Sequence, residues 1–145
     1  MKTKGFTVTE LLVVLVILAV IFTIAAFNGR RTLLGQEQTA FLRTVQGLFW
    51  QGATEAASRG AELSLVRQGN RLQLRLGSQT LRTVDIPQGV NLSLPQGTVV
   101  RFSPPGKLLD AQGQNLSSPL SFTISIGQRT YAYTVSLIGE VKGAP

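Results

Sequence analysis

The 22 residues 6–27 carry only four polar side chains, Thr7, Thr9, Glu10 and Thr23. At about 1.5 Å per residue such a run makes a helix of roughly 33 Å, which matches a bilayer hydrocarbon core of about 30 Å. Lys2 and Lys4 precede the run and Arg30 and Arg31 follow it, so charge bias alone does not orient it. A removable secretory signal has a shorter apolar stretch followed by a small-residue cleavage site. Here Thr23, Ala25 and Ala26 make a poor one. Glu10 is the odd residue: a carboxylate dragged to the bilayer centre costs up to about 3 kcal/mol. Something is gained by keeping it.

A chain of 145 residues holds one domain and at most one appended element, since single domains commonly reach about 100 to 150 residues. The absence of Cys and His removes thiol chemistry, the usual Cys/His metal sites and histidine acid–base catalysis. Beyond Glu10 the acidic residues are Glu37, Glu55, Glu62, Asp85, Asp110 and Glu140, and none are spaced as a catalytic pair or a metal loop. The expectation is a non-enzyme with no cofactor, no metal and no catalytic residue.

Behind the apolar run, Leu33, Leu34, Phe41, Leu42, Val45, Leu48, Phe49 and Ala53 recur at three- and four-residue steps, which extends the helix with one apolar face. Gly29 and Gly35 each weaken a helix by about 1 kcal/mol relative to Ala, so a kink or melted turn is expected near 28–36. The helix should stop at Arg59-Gly60. Everything later reads as short strands. Residues 71–76, 90–94 and 121–126 alternate apolar with polar, and Gly- and Pro-containing turns separate them. The clearest hairpin joins 120–126 to 130–138, residues 108–119 form a surface loop, and the whole is an antiparallel meander or sandwich.

Gly5, Phe6 and Glu10 carry a specific likeness. A short basic leader ending in Gly, then Phe, then Glu five residues into the remaining chain, followed by an uninterrupted apolar run, resembles the N-terminal signal of type IV pilins and the pseudopilins of type II secretion. The resemblance implies an α+β pilin fold: a long N-terminal α-helix, its first half membrane-spanning, packed on a C-terminal antiparallel β-sheet or small β-sandwich. It divides the chain into a leader (1–5), a transmembrane and filament-core helix (6–28), the second half of the helix (29–59) and an extracytoplasmic β domain (60–145). It also implies cleavage between Gly5 and Phe6 by prepilin peptidase, and N-methylation of Phe6. Handling by an inner-membrane assembly platform and packing among other pilin or pseudopilin subunits would come next. Glu10 then gains a partner, because cutting creates a cation at Phe6 four residues away, and a neighbour's amine can compensate the carboxylate. The β region resembles H-type minor pseudopilins and FimT-like minor pilins, through residues 98–106 and a final hairpin closing on 136–139.

The basic excess gives a second expectation. From Arg31 onward there are 11 Lys+Arg against 6 Asp+Glu, and nine of the cations are Arg. Arg67, Arg71 and Arg75 surround one hairpin, and with Arg82 on the next strand they can form a stripe that meets phosphates bidentately. The alternative function is therefore a pilus-borne DNA receptor for natural transformation. FimT-like receptors use an Arg-rich C-terminal tail, and here Glu140 stands where a basic residue would be expected.

Overall fold

The computed structural model describes residues 7–143, the side chains of Asn28, Arg30 and Arg31 excepted. Gly5 and Phe6 lie outside the described residues. One helix, α1 (Val8–Arg59), precedes nine strands: β1 (Leu63–Gln68), β2 (Arg71–Leu76), β3 (Gln79–Asp85), β4 (Val90–Leu92), β5 (Gly97–Phe102), β6 (Leu108–Leu109), β7 (Leu120–Ile126), β8 (Arg129–Val135) and β9 (Val141–Gly143). Two compact units result, 1–36 and 37–145.

In the first unit the helix is rich in Val and Ile, which are mediocre helix formers in water. A helix nevertheless satisfies every backbone group internally, the condition for crossing a bilayer. The expected melted turn is absent, because α1 runs helical through residues 28–36. Gly29 and Gly35 each weaken the helix, but no competing cap or proline reinforces them.

In the second unit all strand pairs are antiparallel, in a five-stranded sheet ordered β3-β2-β1-β5-β6 and a four-stranded sheet ordered β4-β7-β8-β9. Gly69, Gly77 and Gly127 open the two-residue hairpin links at φ of 58°, 57° and 59°, the left-handed region that a Gly-first turn requires. Phe41, Val45, Leu48, Phe49, Ala53 and Ala56 make the buried stripe of α1, with the three- and four-residue spacing of one helix face. Leu33 and Leu34, expected on this stripe, are exposed.

Phe49 joins the layers. Its ring packs edge-on to Phe102 of β5 at 6.5 Å and stacks on Phe122 of β7 at 5.6 Å, and Phe122 in turn stacks on Tyr133 of β8. The five-stranded sheet approaches so closely that a Cβ on Gly52 would lie 2.4 Å from the Phe102 ring.

Three strand expectations are adjusted. The 90–94 strand ends as β4 at Leu92, although Ser93 stays tied to β7 through Thr123. The 108–119 loop begins with buried β6 and then turns on Asp110, whose Oδ1 accepts the N–H groups of Gln112 and Gln114. The final strand stops at Val135 rather than 138, because residues 136–140 form a turn in which Ser136 and Glu140 bond reciprocally. The chain then returns as β9 alongside β8.

Candidate assembly site and basic face

The head of α1 is closed by its own side chains. Thr7 sits at the N-cap, and its hydroxyl accepts the Glu10 N–H at 3.3 Å. Glu10 reaches back, its Oε2 accepting the Thr7 N–H and the Thr7 hydroxyl, each at 2.9 Å. This reciprocal arrangement is a capping box, which satisfies N–H groups that a helix start otherwise leaves without partners. Its T-x-x-E signature stands in the sequence at Thr7 and Glu10 and is separable from the cleavage signal that overlaps it. Deeper in the run the Thr23 hydroxyl donates to the Ala19 carbonyl at 2.7 Å, so this polar group is also met within the helix.

Behind the cap, every described side chain of residues 8–37 is exposed. Leu11, Phe22 and Phe27 are 55%, 70% and 69% exposed, and the helix is long and apolar enough to cross a membrane. An apolar surface on all sides of a helix is the mark of a segment built for lipid or for neighbouring helices.

The four arginines do not line up as one stripe. Arg67 stands opposite Leu72 in the β1–β2 register, on the core-facing side. Its Nη1 donates to the carbonyls of Leu92, at 2.7 Å, and Leu94, which ties β1 to the β4 segment. Arg82 stands opposite Leu74, after an irregularity in the β2–β3 pairing, and its Nη1 donates to Gln51 Oε1 on α1. Arg71 and Arg75 remain on the outer face, where Arg71 pairs with Asp85 at 2.9 Å. Arg75 aligns with Ser64 and, across it, with Arg101, which is itself paired with Glu62 at 2.8 Å. Arg71 and Arg75 thus share one face of β2, Arg67 is turned to the core side, and Arg82 stays exposed while it reaches over to α1. Past Glu140 the chain runs over Val141–Gly143 as β9 along β8, with Lys142 at 4.0 Å from Glu140.

Among the described residues no group of three or more His, Cys, Asp or Glu side chains gathers as a metal site. Tyr133 has the one perturbed ionisable group to note in the β unit: burial pushes its phenol above the ordinary range, and neighbouring Tyr131 adds to the shift.

Residues 1–26 match the family model of the prokaryotic N-terminal methylation motif. No curated protein matches the sequence. Among solved structures, the chain is similar to the crystal structure of the type IV minor pilin FimU of Pseudomonas aeruginosa. The TM-score is 0.58 at 15% identity, covering 76% of this chain and 90% of that one. Sequence likeness at that level carries the fold alone, and the methylation motif independently marks the segment that the fold presents as its bare apolar helix. The chain thus carries an N-terminal methylation motif on a helix that packs, further on, against antiparallel sheets in a fold similar to that of a minor pilin.

Proposed function

We propose that this chain is a minor pilin or pseudopilin that builds or primes a type IV pilus or a type II secretion pseudopilus. Prepilin peptidase cuts it between Gly5 and Phe6 and methylates Phe6. The inner membrane then holds it by a single pass, with the β unit outside the cytoplasm, until the assembly platform draws it into the filament. The observation that carries this reading is the apolar helix within the methylation motif, whose described side chains are exposed around the whole circumference, whereas Phe41 to Ala56 of α1 bury a stripe. Lipid covers such a surface before assembly and other apolar helices cover it afterwards.

Glu10 serves both states. In the single chain one carboxylate oxygen, Oε2, takes both Thr7 bonds, which offsets part of the cost of holding a charge at the membrane edge. The other oxygen stays available for the amine that cleavage creates on a neighbour's Phe6. That pair compensates two charges in an apolar bundle and fixes axial register. Sheared surface filaments from cells that contain the whole machinery provide the test. Glu10→Ala is expected to be cleaved and retained in the membrane but to disappear from the filament fraction. Wild-type incorporation of that variant would contradict the register role.

The DNA-receptor alternative rests on Arg71, Arg75 and exposed Arg82, because Arg67 directs its Nη1 to carbonyls on the core side. Binding of the full-length chain to duplex DNA at two salt concentrations tests it, and no binding at low salt removes it.

A further inference from the structure

The turn end of the β1–β2 hairpin holds a polar cleft that is separate from the assembly site. It has a volume of about 520 Å³ and is lined by Gln68, Asn70, Arg71, Gln73, Asp85 and Ile86, within the roughly 300 to 1,000 Å³ of clefts that hold small ligands. Gln68, Arg71 and Asp85 stand in one cross-strand row over β1, β2 and β3, and Gln73 follows two residues along β2 on the same face. Buried Ile86 supplies the apolar part. A hairpin turn is ordinarily among the looser parts of a sheet, but this one is tied from two sides. The Gln96 side chain accepts the Gly69 N–H at 3.0 Å and donates to the Gly69 carbonyl at 3.5 Å, while the Asn70 carbonyl accepts the Ile86 N–H at 2.8 Å. The backbone around the cleft is therefore set before a ligand arrives, which lowers the ordering cost of binding.

The side chains offer donors and acceptors in pairs. The amides of Gln68, Asn70 and Gln73 make no side-chain hydrogen bond among the described residues, and each carries two donors beside an acceptor. Arg71 gives its Nε to Asp85 Oδ1, which leaves the two Nη groups next to Asp85 Oδ2 as the same combination. Each hydroxyl of a vicinal diol both donates and accepts, so this set matches the edge of a sugar group by group. A phosphate only accepts and would meet the Asp85 carboxylate. The two charges of the cleft, one positive and one negative, also sum to zero, so nothing here draws a polyanion.

We propose that this cleft binds a neutral saccharide through vicinal hydroxyls. Arg71 and Asp85 act as one unit, with Asn70 and Gln73 beside it and Ile86 beneath the sugar ring. The ion pair is no obstacle, because a hydroxyl pair uses the donors and the acceptor oxygen that the pair leaves over. An exposed pair of this kind adds little to folding, so recognition and not the stability of the sheet accounts for it. The site lies wholly in the 37–145 unit and does not depend on cleavage after Gly5 or on entry into a filament.

The test passes the full-length chain, in a zwitterionic detergent without sugar headgroups, over three immobilised probes. These are neutral hexose oligosaccharides of gluco, galacto and manno configuration, galacturonate oligosaccharides, and duplex DNA. Retention on at least one neutral oligosaccharide is expected, with release by the same sugar free in solution and equal retention at low and high salt, since no counterions are displaced. Asn70→Ala, Gln73→Ala and Arg71→Met should each weaken that retention about tenfold or more, while Arg129→Met, which removes a cation from β8, should not change it. A deoxy analogue lacking one hydroxyl of the recognised pair should bind the wild-type chain about tenfold or more weakly, a readout that no folding defect can mimic. No retention on any neutral oligosaccharide overturns the site. Retention confined to galacturonate and DNA overturns it as well, as does retention on neutral sugars that the three cleft variants leave at the wild-type level.

Discussion

Leu11 and Phe22 in the early part of α1 are as apolar as Leu48 and Phe49 in the later part, yet the first two are 55% and 70% exposed and the second two are 0% exposed. The difference is angular. Around residues 38–59 the apolar side chains form one stripe and the chain supplies sheets to cover it. Around residues 8–27 they occupy the whole circumference, and no single protein face covers a cylinder. One part of the helix is completed by its own fold. The other is bare in the single chain, and on the proposed reading lipid and then other subunits complete it.

The largest separation of these two regions is expected from paired aromatic truncations. Phe49→Ala removes the ring that contacts both Phe102 and Phe122 and should cost about 3 to 5 kcal/mol of unfolding free energy. Phe22→Ala should leave the unfolding of the β unit unchanged in the same denaturant titration. Equal losses would break the distinction.

Arg67 extends the comparison to polar groups, because the packed unit supplies backbone carbonyls to its Nη1. Arg67→Met loses the bonds to the Leu92 and Leu94 carbonyls and should destabilise that unit by about 1.5 to 3 kcal/mol. Exposed, ion-paired Arg71 replaced by Met should stay within about 1 kcal/mol. Chemical denaturation of both variants decides this.

Glycines five positions apart sharpen the boundary further. An added Cβ at Gly52 meets the Phe102 ring at 2.4 Å, whereas at Gly47 nothing lies within 4 Å. Gly52→Ala should therefore cost about 1 to 3 kcal/mol, while Gly47→Ala should gain up to about 1 kcal/mol. The midpoint shift in thermal unfolding gives both signs.

The smallest effect is expected with pH. Burial raises the folded Tyr133 phenol above its ordinary value of 10.0, so folding favours the neutral ring. The associated stability is fully present below the unfolded value and is lost as pH rises past 10 and through the folded value. Tyr133→Phe should flatten this alkaline loss relative to wild type in paired denaturation curves. An unchanged alkaline slope would contradict it.

Much of this arrangement is legible in the sequence, for local physical reasons. Residues 71–76 alternate strictly and are β2, and Gly60 ends α1 at Arg59 because a left-handed residue is needed there. Alternation fails where the pairing slips. A shift in register between Leu74 and Arg75 sets Arg82 opposite Leu74, and one extra residue in a strand turns every later side chain of that strand to the other face. Counting along the chain therefore groups Arg82 with outward arginines from which the structure separates it. The Arg67 contacts are also invisible locally, since its partners lie 25 and 27 residues away. The Thr7–Glu10 cap is the opposite case: its spacing is fully local, but the cleavage signal overlaps it and draws the eye to Glu10 alone.

The central claim is that the bare half of α1 belongs to a filament subunit and not to a plain anchor. Intact-mass analysis of the membrane-bound chain, from cells that contain prepilin peptidase, tests it most directly. The predicted result is loss of residues 1–5 with one methyl group added at Phe6. Retention of Met1 through Gly5 would contradict the account.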